Sequence, residues 1–217
     1  MRLYNLLKNS LGLTKLELKE YLLNHDVTVN GIHVPSSTIL KDSDIILVDG
    51  KEIKSNPFIY YLYYKPRGIL STISDKDNSY INQIKVPYKV SPAGRLDKDS
   101  LGLMILSNDG QFLNEVTGDK SILEKEYIVK VEYKVTDEFL SLMSKSYTMD
   151  DRITTPAIVK KIDDYTISVI LYEGIYHQVR RLVKLSKNKV LELKRIRIGN
   201  YHLNDMKPND LIEFKPK

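Results

Sequence analysis

The sequence predicts an α+β protein in two parts, a small module of helices and hairpins followed by a larger β-rich domain. Three observations predict it. Leucines at helical spacing open the chain, alternating or continuous apolar runs recur from residue 59 onward, and Asn-Gly, Asp-Gly and Asp-Asp pairs punctuate the two parts.

The first helix is read from Leu3, Leu6, Leu7 and Leu11, with Gly12 where a helix C-cap belongs. Thr14 and Glu17 form a T-x-x-E capping box that starts a second helix carrying Leu18 and Leu22 on one face. Val27–Val29, Asn30-Gly31 and Ile32–Val34 spell a hairpin, because Asn-Gly accepts the two positive-φ turn positions. Ile45–Val48, Asp49-Gly50 and Lys51–Ile53 repeat it. These elements set a first domain at residues 1–54, a linker at 55–59 and a second domain at 60–217.

In the second domain Ile59–Tyr64 reads as a strand ending at the turn Lys65-Pro66-Arg67-Gly68. Leu101–Leu106 is a buried strand stopped by Asn108-Asp109-Gly110. Glu126–Val135 alternates, placing Tyr127, Val129, Val131, Tyr133 and Val135 on one face. Thr136-Asp137-Glu138 caps a helix lined by Phe139, Leu142 and Met143. Ala157–Ile162 and Thr166–Tyr172 pair across Asp163-Asp164. Tyr176–Leu185 is an amphipathic helix with Val179, Leu182 and Val183 inward and Arg181 and Lys184 outward, and Val190–Ile198 is the last strand.

Composition narrows the chemistry. There is no cysteine, and the four histidines show no metal-ligand spacing, so neither a metal nor a thiolate is expected. No Gly-rich phosphate loop is present, and no cofactor is expected. No apolar run has the length of a membrane span, and Met1–Leu13 lacks the apolar core of a secretory signal, so a cytoplasmic protein is expected. Net charge is +5, but from Ile175 to Gly199 eight cations face Glu192 alone. Such a cluster suits a polyanion, because neutralised phosphates release counterions; a solvated basic face is the plain alternative.

The stretch GRLDKDSLGLMILSNDG (Gly94–Gly110) resembles the signature of bacterial ribosomal RNA pseudouridine synthases of the RsuA type. YYKPRGILST (Tyr63–Thr72), EKEYIVKV (Glu124–Val131) and EGIYHQVRRLVKLSKNKVLELKRIRIG (Glu173–Gly199) resemble three further motifs of that family, in order. The first module is similar to the family's S4-type RNA-binding domain. The resemblance implies a synthase domain with a mixed, largely antiparallel sheet flanked by helices. It also implies a monomer that isomerises uridine in ribosomal RNA. Tyr176–Arg180 and Thr154–Ala157 look closer to members acting on the small subunit.

Pseudouridine formation breaks an N-glycosidic bond, turns the base and rejoins it through carbon, which asks for a positioned carboxylate. The resemblance gives that role to Asp97; without it, Asp97 reads as a turn carboxylate beside Asp99. A carboxylate in a closed pocket needs a cation, and the resemblance supplies Arg180. Tyr127 would contact the target base, although its alternating strand fits core packing equally. Arg95 would fill the space a flipped nucleotide leaves, unless it is an ordinary loop arginine. Lys65, Arg67, Arg181 and Lys184 are candidate phosphate contacts, and so are Lys15 and Lys19 on the second helix, within a module that carries no net charge. Two rivals stand beside this reading: a synthase for large-subunit or transfer RNA, and a non-catalytic RNA-binding assembly factor.

Overall fold

The computed structural model describes residues 1–41, 43–54, 56–72, 79–118 and 123–216. They form two compact units, Met1–Phe58 with Val86–Lys89, and the remainder.

In the first unit, α1 (Leu3–Leu11) ends on Gly12 in the left-handed conformation (φ 66°), as its C-cap position requires. The Thr14 hydroxyl accepts from Glu17 N and the Glu17 carboxylate accepts from Thr14 N, closing the capping box of α2 (Lys15–Asn24). Strands β1 (Val27–Val29), β2 (Ile32–His33), β3 (Ile46–Val48) and β4 (Lys51–Glu52) make one antiparallel sheet in the order β2-β1-β3-β4. Leu3, Leu6, Leu7, Leu18, Val29, Leu40, Ile46 and Val48 are its core. Of the expected linker, Asn56 donates to Asn9 O at 2.9 Å, within this unit, and Ser55 lies outside the described residues.

The second unit contains β5 (Tyr60–Lys65), β6 (Ser91–Ala93), β7 (Leu101–Ser107), α3 (Gly110–Thr117), β8 (Lys125–Val131) and α4 (Asp137–Met143). It continues through β9 (Thr148–Met149), β10 (Arg152–Ile153), β11 (Ile158–Asp163) and β12 (Thr166–Leu171). It ends with α5 (Gln178–Leu185), β13 (Val190–Ile198), β14 (Tyr201–His202) and β15 (Leu211–Glu213). The main sheet runs β11-β12-β8-β13-β7-β5-β15. Among the described pairs in that path only β13 and β7 are parallel, so the sheet is mixed and largely antiparallel, as expected. Among the described residues no helix is long and apolar enough to cross a membrane.

Two clusters of buried side chains fill this unit. Val129, Val131, Phe139, Met143, Ile167, Val169, Val179, Leu182, Val183 and Leu193 form one; Tyr64, Ala93, Leu103, Ile105, Phe112, Val116, Ile198 and Leu203 form the other. Strand β13 serves both, through Leu193 and Ile198. Its approach to β7 depends on Gly102, at φ +110°, where an added Cβ would lie 2.2 Å from Arg195 O.

Three local expectations change. Asn108-Asp109-Gly110 is not only a strand stop: the Asp109 carboxylate accepts from Gln111 N and Phe112 N and so begins α3, a helix the sequence reading did not include. The alternating run ends at Val131, and Tyr133 beyond it turns out to solvent. Lys65 ends β5 instead of opening the turn.

Candidate active site

Asp97 sits in the loop between β6 and β7, and both of its neighbours are pinned. The Ser71 hydroxyl donates to Leu96 O at 2.7 Å and accepts from Leu96 N at 3.0 Å. Gly68 N donates to Lys98 O at 2.8 Å, and Ser100 N to Asp97 O at 3.0 Å. The carboxylate itself is left in reach of solvent, with its side chain 31% exposed.

Helix α5 brings up the opposite wall. Gln178, buried at its start, donates to the Glu173 carboxylate at 2.6 Å and accepts from Ile175 N at 3.3 Å. The chain enters through His177 in the left-handed conformation (φ 53°), a strained position for a residue with a Cβ. The His177 ring stacks on Tyr176, with centroids 3.8 Å apart. Val179, Leu182 and Val183 enter the core. That burial leaves His177 Nε2 3.1 Å from Asp97 Oδ1 and Arg180 Nε 3.6 Å from Asp97 Oδ2. The second distance is an ion-pair contact and too long for a hydrogen bond. Arg180 also donates to the Ser100 hydroxyl at 3.4 Å.

A cavity of about 360 Å³ opens on this carboxylate, lined among others by Leu70, Thr72, Arg95, Asp97, Tyr176 and His177. Its size is within the range that holds small ligands. A carboxylate, an imidazole and a guanidinium at its edge can carry nucleophilic or proton-transfer chemistry without a metal.

The structure thus joins Asp97 to Arg180 and sets Arg95, exposed, on the same cavity. Tyr127 is not among the residues lining that cavity; it is half-buried and packs against the core around Val129. Arg67 is exposed on its turn, Lys184 is exposed on α5, and Lys15 and Lys19 are exposed on α2. The expectation for Lys65 is corrected. It is fully buried, and its Nζ donates to Ile69 O at 2.7 Å, Pro66 O at 3.0 Å and Lys98 O at 3.5 Å. Loss of water around that ammonium pushes its pKa down to about 8, against the opposing pull of Asp97 and Asp99.

The basic segment is also less free than its composition implies. Arg195 is buried, donating to Leu103 O at 2.8 Å. Arg197 is bound to Glu124 at 2.7 Å and to Glu126 at 2.9 Å. Arg181 Nη1 lies 3.0 Å from both carboxylate oxygens of Asp150, which leaves less of its charge for phosphate. His177 is the site residue the sequence reading passed over. Its signal was present, three residues before Arg180 in the same motif, one helical turn away.

Residues 59–185 match the family described as RNA pseudouridylate synthase. An uncharacterized RNA pseudouridine synthase of Aquifex aeolicus is 33% identical over 99% of this chain and 92% of its own. The ribosomal small subunit pseudouridine synthase A of Pasteurella multocida is 33% identical over 94% of this chain and 91% of its own. The ribosomal large subunit pseudouridine synthase B of Bacillus subtilis is 30% identical over 91% and 85%. A crystal structure of a pseudouridylate synthase superposes with a TM-score of 0.70 at 27% identity, covering 99% of this chain and 96% of that one.

Proposed function

Because this chain belongs to the RNA pseudouridylate synthase family, we propose that it converts a specific uridine of small-subunit ribosomal RNA to pseudouridine, with Asp97 as the catalytic carboxylate. The observation that carries the reading is that His177 and Arg180 both meet the Asp97 carboxylate, which opens on a small cavity.

The reaction needs no redox partner. The bond from N1 to C1′ breaks, the uracil turns, C5 joins C1′, and the proton lost from C5 is balanced by one gained at N1. Asp97 supplies the nucleophile or base. Arg180 offsets and orients its charge, and His177 holds the other carboxylate oxygen. Arg95, at the cavity rim, is suited to meet the RNA around the extruded uridine. Tyr127, half-buried on β8, is assigned to contact with the target base. The choice of the small subunit leans on the small-subunit synthases among the relatives and on the motifs Tyr176–Arg180 and Thr154–Ala157. The N-terminal unit, proposed as an S4-like domain spanning 1–54, presents Lys15 and Lys19 on one exposed face of α2 to the same RNA, and the protein acts as a cytoplasmic monomer.

Incubation with unmodified ribosomal RNA, followed by site-resolved pseudouridine mapping, tests this. One new site in small-subunit RNA is expected, and Asp97→Asn should lose turnover while keeping RNA affinity. A site in large-subunit RNA would overturn the subunit choice and keep the reaction. Turnover by folded Asp97→Asn would refute the assignment of the carboxylate.

A further inference from the structure

Arg180, in contact with Asp97, also lines a second cavity of about 560 Å³. Tyr133, Lys184, Lys187, Lys189 and Val190 supply most of the remaining wall.

That wall is held on a rigid frame. The buried Asn188 side chain accepts from Tyr133 N and donates to Tyr133 O, both at 3.0 Å. Glu132 N donates to Lys189 O at 2.9 Å, and Asn188 N to Val183 O at 3.0 Å, at the end of α5. The backbone at 132–133 is thereby strapped to the turn between α5 and β13. Upon this frame the Tyr133 ring stands 59% exposed, whereas Val129 and Val131 before it and Val135 after it are buried. Core packing does not account for an aromatic ring fixed at its backbone and left in water.

The cations beside it are available. Lys184 is exposed and meets no carboxylate among the described residues. Lys187 lies 3.5 Å from Glu138 and Lys189 3.3 Å from Glu132, with both lysines more than two-thirds exposed. Exposed pairs of this kind are weak and readily exchanged for a phosphate.

We propose that this second cavity is a subsite for the nucleotide adjoining the target uridine, whose base stacks on Tyr133 and whose phosphate lies among Lys184, Lys187 and Lys189. Arg180, in the wall of this cavity, reaches Asp97 of the first at 3.6 Å, so the two nucleotides lie to either side of that contact. The inference rests on reading the Asp97 cavity as the pocket for the target uridine. Every base has a π-face, so a tyrosine platform grips without choosing sequence. The subsite therefore supplies affinity and register along the strand, not identity of the neighbour.

The full chain is titrated with a ten-residue oligouridylate by fluorescence anisotropy across a range of salt, alongside Tyr133→Ala, Tyr133→Phe and Lys184→Ala. Thermal unfolding verifies that each variant is folded. Tyr133→Ala should weaken binding by about tenfold with an unchanged salt slope, and Tyr133→Phe should bind like the parent. Lys184→Ala should reduce the logarithmic salt slope by about 0.7, the value for one phosphate of a single strand. Parent-like affinity in Tyr133→Ala, or no binding of the oligouridylate by the parent chain, overturns the subsite. Turnover on unmodified ribosomal RNA separates the two readings. Loss of oligouridylate affinity in Tyr133→Ala supports the subsite even where no pseudouridine forms, a result that would defeat the proposed reaction alone.

Discussion

Replacing Lys65 by Met removes a buried ammonium that the fold keeps at a cost. The group loses its water entirely, and its pKa falls from the ordinary 10.5 to about 8. A lysine whose pKa is lowered in the folded state has its penalty fully present below the folded value, where both states are protonated. As pH rises from about 8 toward 10.5 the folded protein releases the proton while the unfolded chain keeps it, so stability increases. The whole shift corresponds to about 3 kcal/mol, and about 2 kcal/mol of it should emerge between about pH 7.5 and pH 9.5. Burial raises the phenol pKa of Tyr63 to about 12, so its effect, of opposite sign, begins only above the ordinary tyrosine value of 10. The assay is urea unfolding of the parent and Lys65→Met at several pH values in this window. The difference between them should shift by about 2 kcal/mol as pH rises, in favour of the parent. Parallel curves would refute the burial argument. A large fall in the RNA salt slope with parallel stability curves would return Lys65 to the phosphate role that its sequence position suggested.

Arg180→Gln should slow single-turnover pseudouridine formation by about 10²- to 10³-fold, whereas Arg181→Gln, losing a surface partner to Asp150, should leave the rate near the parent's. Equal losses in the two variants would show that the face of α5 turned to Asp97 is misassigned. Gly102→Ala should destabilise by about 3 kcal/mol or more in a denaturant melt, because it joins a positive φ to a Cβ pressed on Arg195 O. A parent-like melt would mean that β13 moves aside at little cost. Combined Lys15→Glu and Lys19→Glu should lower affinity for ribosomal RNA in a binding titration and leave the rate on bound RNA unchanged, and unchanged affinity would remove the N-terminal unit from the interface.

Local chemistry made much of this fold legible. Thr14 and Glu17, Asn30-Gly31, and the Val190–Ile198 run each announce their element through groups a few residues apart. Features that depend on distant chain did not show. Lys65 continues the face of β5 that carries Tyr61 and Tyr63, yet its burial comes from the 66–69 loop and from Lys98, 33 residues later. Arg195 and Arg197 count as phosphate-binding charge along the sequence and become internal once β13 lies beside β7 and β8. At the site, Asp97 and Arg180 were legible through motifs; His177 stood in the same motif, but its contact with Asp97 is made from a left-handed residue ahead of the helix.

The place of β13 in the sheet sets a schedule for the nascent chain. Strands β7 and β8 are successive in sequence, but β13, made almost sixty residues after β8, lies between them. Until Val190–Ile198 leaves the ribosome, β7 and β8 have no common neighbour, and the clusters around Val129 and Leu103 have no strand to join them. Such late, long-range pairing carries a high loop-closure cost and slows folding. A chain released before that strand would hold Asp97 on one unfinished half and Arg180 on the other. Truncated products therefore lack an assembled site, and their open edges at β7 and β8 invite aggregation.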